Sequence, residues 1–242
     1  MYQKLFWKIE ELWEKSKEKT LPSSFDISRN YDEKGDSLYY PRFVRVQQFD
    51  PSPSKIPVFS DDYGSYLGLA QCQVLDVRGK LIYIVDNHNE MLYPLVEMRT
   101  QKKESFGVVH IDAHNDDALC EQRFEEKDFE LNSIAKTISR TRISDFFDAI
   151  SGKGIVSSVY RITDSHSFEN FILPKDPFFL SLDIDIFGPE GDFVSLESKV
   201  NAIRKAWNKA EAICIATSPG FIEQKFAHEI IRILCYYQGN EE

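Results

Sequence analysis

Val108-Val109-His110-Ile111-Asp112-Ala113-His114-Asn115-Asp116-Asp117 opens as a buried strand and closes as a row of metal-binding side chains. Asp112, His114 and Asp116 are spaced two apart. In extended chain such residues project from one face, so all three can aim at one small volume where the strand runs out. Phe178-Phe179-Leu180-Ser181-Leu182-Asp183-Ile184-Asp185 repeats the design, an apolar run followed by two carboxylates. Leu81-Ile82-Tyr83-Ile84-Val85-Asp86-Asn87-His88-Asn89-Glu90 ends beyond its apolar run in a histidine. Brought together, these strand ends gather Asp112, Asp116, Asp183 and Asp185 with His88 and His114. Two carboxylates about 4 Å apart repel by roughly 4 kcal/mol even at an effective dielectric of about 20. Four of them at the end of a buried sheet must take up protons or be neutralised by cations. The imidazoles favour metal, and two ions sharing bridging carboxylates would use all six groups.

Outward from these stretches, strands alternate with helices, which argues for an α/β fold with a mostly parallel sheet. Residues 73–85 read as a hairpin turning at Arg78-Gly79. Met91 to Gln101 reads as a helix with Pro94 in its first turn. Ile134, Ala135 and Ile138 mark a further helix face that begins at Leu131. Ser144 is expected to cap a short helix through Phe146, Phe147 and Ile150. Ile155–Ile162 and Ile213–Ala216 read as strands, with helices from Leu196 to Trp207 and from Phe226 to Ile233. Residues 1–19 carry Leu5, Phe6, Ile9, Leu12 and Trp13 on one helical face. Residues 22–65 are rich in proline and aromatics and read as irregular chain ordered on the core. The expected organisation is one domain over 1–242, with residues 1–65 as an N-terminal helix and extension packed on it.

The 242 residues are 42% hydrophobic and 28% charged, enough for one sizeable core. A net charge of -10 disfavours nucleic acid and anionic membrane as partners and suits a cationic substrate or peptide. The four cysteines are dispersed without a C-x-x-C pair and read as reduced thiols of a cytoplasmic protein. The acidic start of the chain does not read as a signal peptide, and no apolar run is long enough to span a membrane.

The motifs Asp112-Ala113-His114-Asn115-Asp116 and Ser181-Leu182-Asp183-Ile184-Asp185, with His88 on an earlier strand, resemble the ureohydrolase superfamily of arginase and agmatinase. Asp86-Asn87-His88-Asn89-Glu90, His110-Ile111-Asp112-Ala113-His114 and Thr217-Ser218-Pro219-Gly220-Phe221 resemble a divergent branch. That branch includes the peptide arginases of ribosomal-peptide maturation. The likeness covers roughly residues 74–235. It implies an arginase-like three-layer sandwich and two manganese ions; zinc, iron and cobalt remain open. One ion would take His88, Asp112, Asp116 and Asp183, the other Asp112, His114, Asp183 and Asp185. Asp116 also counts among the catalytic residues.

The resemblance implies hydrolysis of a guanidino C–N bond, converting arginine residues of a peptide to ornithine with release of urea. The glutamate that holds the guanidinium in such enzymes has Ala216 at its place. Glu90 is the candidate replacement and Asp117 the second. The proton-shuttling histidine also lacks a counterpart; His110 or His166 would do that work. Gly188 stands where an aspartate usually follows the second motif. The loop that reads free arginine is replaced by an acidic one, from Asp117 to Glu130, which repels a free carboxylate and tolerates a basic peptide. Two other readings stand beside this one. A single-zinc deacetylase-like amidohydrolase shares the D-x-H strand end but needs a paired His-His, which is missing. A metal-stabilised binding protein without activity would explain the missing glutamate. His228, on the final helix, reads as structural, and the oligomeric state is open.

Overall fold

The structure, a computed structural model, describes residues 8–12, 43–61 and 63–238. Residues 8–12 belong to a helix, α1, which places Ile9 fully in the core. The rest of the helix expected over 1–19 lies outside the described residues. Three strands come next: β1 (Phe43–Arg45), β2 (Pro53–Asp61) and β3 (Gly64–Leu69). The irregular chain expected up to residue 65 is therefore corrected over this part. Pro53 and Pro57 hid β2, because proline lacks the N–H a ladder needs. The β2–β3 ribbon accommodates them with register shifts on either side of Pro57.

The remaining elements are β4 (Cys72–Val77), β5 (Lys80–Val85), α2 (Leu92–Lys102), β6 (Phe106–Ile111), α3 (Ile134–Ile138), α4 (Phe146–Ala149), β7 (Val156–Ile162), α5 (Ser165–Glu169), β8 (Phe178–Asp183), α6 (Leu196–Lys209), β9 (Ala212–Ala216) and α7 (Gln224–Gln238). Two local expectations fail. The helix expected from Leu131 starts only at Ile134, and Leu131 is exposed. The residue before α4 is Asp145, whose carboxylate accepts the Arg142 N–H at 2.8 Å, so Ser144 is not the cap.

Seven strands form the main sheet in the order β1-β4-β5-β9-β8-β6-β7. β5, β9, β8, β6 and β7 are mutually parallel, and the β4–β5 hairpin reverses direction so that β4 and β1 run the other way. β6 and β8 are buried at every position, as expected of strands covered on both faces.

Alternation along the strands divides the core in two. Ile82, Ile84, Val109, Ile111, Leu180, Leu182, Ile213 and Ile215 pack with Val200, Ile203 and Trp207 of α6 and with Phe226, Ile230 and Leu234 of α7. Tyr83, Val85, Val108, Phe179 and Cys214 pack with α2, α3 and α4 through Leu92, Leu95, Ile134, Ile138, Phe146 and Phe147. The protein is thus α/β with a mostly parallel sheet and helices on both faces. All four cysteines are free thiols. Among the described residues no helix is long and apolar enough to cross a membrane.

Candidate metal centre

Because β5, β9, β8, β6 and β7 are parallel, their carboxyl ends share one edge, where ligand sites of open α/β sheets form. β5 runs through Asp86 into a 3-10 turn, His88–Met91. β6 ends at Ile111, and Asp112 to Asp117 follow as loop. This differs from extended spacing: Asp116 reaches the cluster through a left-handed backbone, φ +49°. β8 carries Asp183 as its last residue and turns at once into a 3-10 turn, Ile184–Phe187, that holds Asp185.

Two groups of ligand atoms result. In the inner one, His88, His110, Asp112 and Asp116 each offer an atom within 4.8 Å of the others. In the outer one, Asp112, His114 and Asp185 do the same. Asp112 divides its oxygens between them. Its Oδ2 lies 2.7 Å from His88 Nδ1 and 3.4 Å from His110 Nε2. Its Oδ1 lies 3.3 Å from His114 Nδ1 and accepts the His114 N–H at 2.7 Å. Asp185 Oδ2 is 3.0 Å from His114 Nδ1.

Asp183, expected as the second bridge, falls in neither group. Its Oδ1 accepts the Asp185 N–H at 2.9 Å and its Oδ2 accepts the Ser218 hydroxyl at 2.6 Å, although Oδ2 also lies 3.2 Å from His88 Nδ1. His110 takes the place in the inner group that the sequence reading gave to Asp183.

Burial and mutual charge set the electrostatics. Burial works to lower His88, but its contacts with Asp112, Asp116 and Asp183 outweigh it and hold the ring well above its ordinary value. His114 is raised likewise by Asp112, Asp185 and Glu190 against its burial. Burial, opposed by Asp112, takes His110 down to about 3, so that ring is neutral. Burial and then the charge on Asp112 push Asp116 up to about 7. Asp185 is pushed up by burial, Asp183 and Asp112, whereas contacts with His114 and His88 overcome burial to hold Asp112 down.

The donor set suits a cation. His110 Nε2 and Asp116 Oδ2 are buried polar atoms with no hydrogen-bond partner, and such atoms are costly unless something of complementary charge meets them. Nitrogen and carboxylate oxygen are the ligands divalent first-row metals take. The buried cluster can therefore hold a metal ion.

The other expected residues lie elsewhere. Glu90 is buried, but its Oε2 accepts the N–H groups of Asp86 at 2.9 Å and Asn87 at 3.3 Å and lies 3.5 Å from Cys72 Sγ. It closes the 3-10 turn and belongs to neither ligand group. His166 is exposed on α5, in contact with Asn170, and Asp117 is exposed in the loop.

Six contributors were not singled out as site residues from sequence. Ser181 Oγ sits between His88 Nε2 at 2.6 Å and His110 Nδ1 at 3.1 Å. Ser218 holds Asp183. Glu190 Oε2 meets His114 Nε2. Gly191 lets that turn close, since a Cβ there would lie 1.9 Å from the Ile186 carbonyl oxygen. Phe221 packs edge-on against His114 at 5.5 Å, and Phe59 of β2 backs Phe221 at 5.3 Å. A glutamate in a loop or a phenylalanine on a distant strand gives no signal of this kind; Ser181, Ser218 and Phe221, inside quoted motifs, could have been found.

Fold and site together define a class: an α/β protein with a histidine–aspartate cluster, able to hold a metal ion, at the carboxyl edge of its sheet. Compared with protein-family models, with curated proteins and with solved structures, the chain finds no match.

Proposed function

We propose that this chain is a binuclear metal-dependent hydrolase of the arginase and agmatinase kind. It would act on the guanidino group of arginine residues in a peptide. Water adds at the guanidinium carbon, the bond to the side-chain nitrogen breaks, that nitrogen takes the proton, and urea and an ornithine side chain result. The observation that carries this reading is the Asp112 carboxylate, whose two oxygens face two different histidine-bearing groups. A pair of divalent cations, manganese by resemblance, would supply Lewis acidity and lower the pKa of a water toward neutrality.

The chain's own residues supply the rest. His88, Asp112 and Asp116 would hold the inner cation, and Asp112, His114 and Asp185 the outer one. Ser218 fixes Asp183 beside them. Substrate enters from the His114 side, where that ring is 28% exposed while His88 and His110 are closed off. Exposed Asp117, Glu121, Glu125 and Glu126 lie in the loop after the first motif and, with the net charge of -10, favour a basic peptide over a free carboxylate.

The test is the metal content of the purified protein, combined with incubation of manganese and arginine-containing peptides and a search for the mass loss of cyanamide. Full urea release by Asp112→Ala, or no cation bound at all, would sink the reading.

A further inference from the structure

We propose that His110 is itself a ligand. The inner cation position is then a two-imidazole, two-carboxylate site that ranks zinc, cobalt and ferrous iron above manganese more steeply than the outer position does. This rests on the metal centre proposed above and makes its two ions unlike each other.

His110 is fully buried, and its Nε2 lies 3.4 Å from Asp112 Oδ2 and 3.8 Å from Asp116 Oδ2 without a hydrogen bond to either. An N–H so close to two carboxylates should bond one of them. A bare lone pair facing two carboxylates is repelled. A cation between them resolves both difficulties.

One arrangement of hydrogens leaves the nitrogens beside the carboxylates free for a cation. The Ser181 hydroxyl has one hydrogen, and it is donated to Met91 Sδ at 3.1 Å. Its oxygen then accepts, with His88 Nε2 and His110 Nδ1 as the N–H donors on either side. With a cation bound, the remaining nitrogens, His88 Nδ1 and His110 Nε2, carry the lone pairs. Those two atoms are the ones that face Asp112 and Asp116. The rings are also held in place. His110 has the edge of Phe147 at 4.9 Å and His88 at 4.9 Å, and His88 has Phe146 at 5.5 Å.

The outer group has one imidazole. His114 turns Nδ1 to Asp112 and Asp185 and its far nitrogen to Glu190. Imidazole suits zinc, iron and cobalt, whereas carboxylate and water suit manganese, so the nitrogen count separates the two positions.

The experiment takes the full chain stripped of metal and adds manganese alone, then zinc against manganese, one equivalent at a time. Pulsed electron paramagnetic resonance on the first equivalent of manganese counts the imidazole nitrogens; native mass spectrometry counts the ions. The expected result is two nitrogens on the first ion and zinc displacing manganese from that position first. His110→Ala should reduce the count to one, weaken the first position by about 100-fold and leave the second unchanged. Two ions bound with one imidazole each overturns this inference and leaves the hydrolase reading intact. No ion bound overturns both. The nitrogen count on the unsubstituted protein decides the matter even if His110→Ala fails to fold.

Discussion

Two gatherings of buried carboxyl groups lie side by side at the carboxyl edge of the sheet, and they differ in one respect. Asp86 and Glu90 form the first. Asp86 accepts the Leu69 N–H at 2.9 Å and the Thr217 hydroxyl at 2.9 Å, and Glu90 accepts the N–H groups of Asp86 and Asn87. Burial raises Asp86 to about 7, and burial with the charge of Asp86 raises Glu90 to about 8. The second gathering, around Asp112, is as deeply buried, but it leaves His110 Nε2 and Asp116 Oδ2 unmet. Burial and perturbed acidity are common to both. Only unmet donor atoms aimed at one point set a binding site apart from a structural joint.

The contrast breaks most directly at Asp112. Asp112→Asn should abolish urea release and strip both ions from a folded protein, read by metal analysis and circular dichroism; an active variant that keeps two ions would erase the distinction. Next comes Glu90→Ala, which leaves two backbone N–H groups without their acceptor. Denaturant unfolding should show a loss of about 1–3 kcal/mol with metal content unchanged. If Glu90→Gln instead lost activity while stability and ions stayed intact, Glu90 would belong to the chemistry after all. Thr217→Val removes one donor from Asp86 and should cost about 1 kcal/mol in the same measurement, again without touching the ions.

The smallest effect concerns His228, whose buried Nε2 is unmet and which belongs to neither group of candidate metal ligands. It packs on Phe49, and burial, then Arg232, hold it below its ordinary 6.5 against the pull of Glu223 and Glu229. A histidine depressed in the folded state contributes stability above its unfolded value that is lost as pH falls through the folded one. Stability should therefore decline below about pH 6.5, and His228→Phe should flatten that decline in unfolding midpoints taken on either side.

The strands at the heart of the site were legible because doubly covered strands are written as near-continuous apolar runs, here Val108–Ile111, interrupted by His110, and Phe178–Leu182, interrupted by Ser181. The aspartates and histidines crowded after them announce a cluster by residue type, although the loop and turn that deliver them are not the extended chain their spacing suggested. What sequence hid has physical causes. Prolines 53 and 57 disguised β2. The left-handed turn at Asp116 decides where that carboxylate goes, and nothing in its neighbours demands it. Whether His110 faces a cation or merely packs depends on which nitrogen Ser181 engages, a matter of ångströms. Glu90 drew attention by standing two residues from His88, yet a 3-10 turn rolls its side chain back onto the peptide plane.

The ribbon of β2 and β3 reaches the outer imidazole through a relay of rings, Phe59 on Phe221 and Phe221 on His114. If the proposed function holds, chemistry and selectivity would rest on separate scaffolding. The sheet that carries the cluster could then stay rigid while changes in the ribbon alter its surroundings, which would make the ribbon the place to change which molecules reach the site.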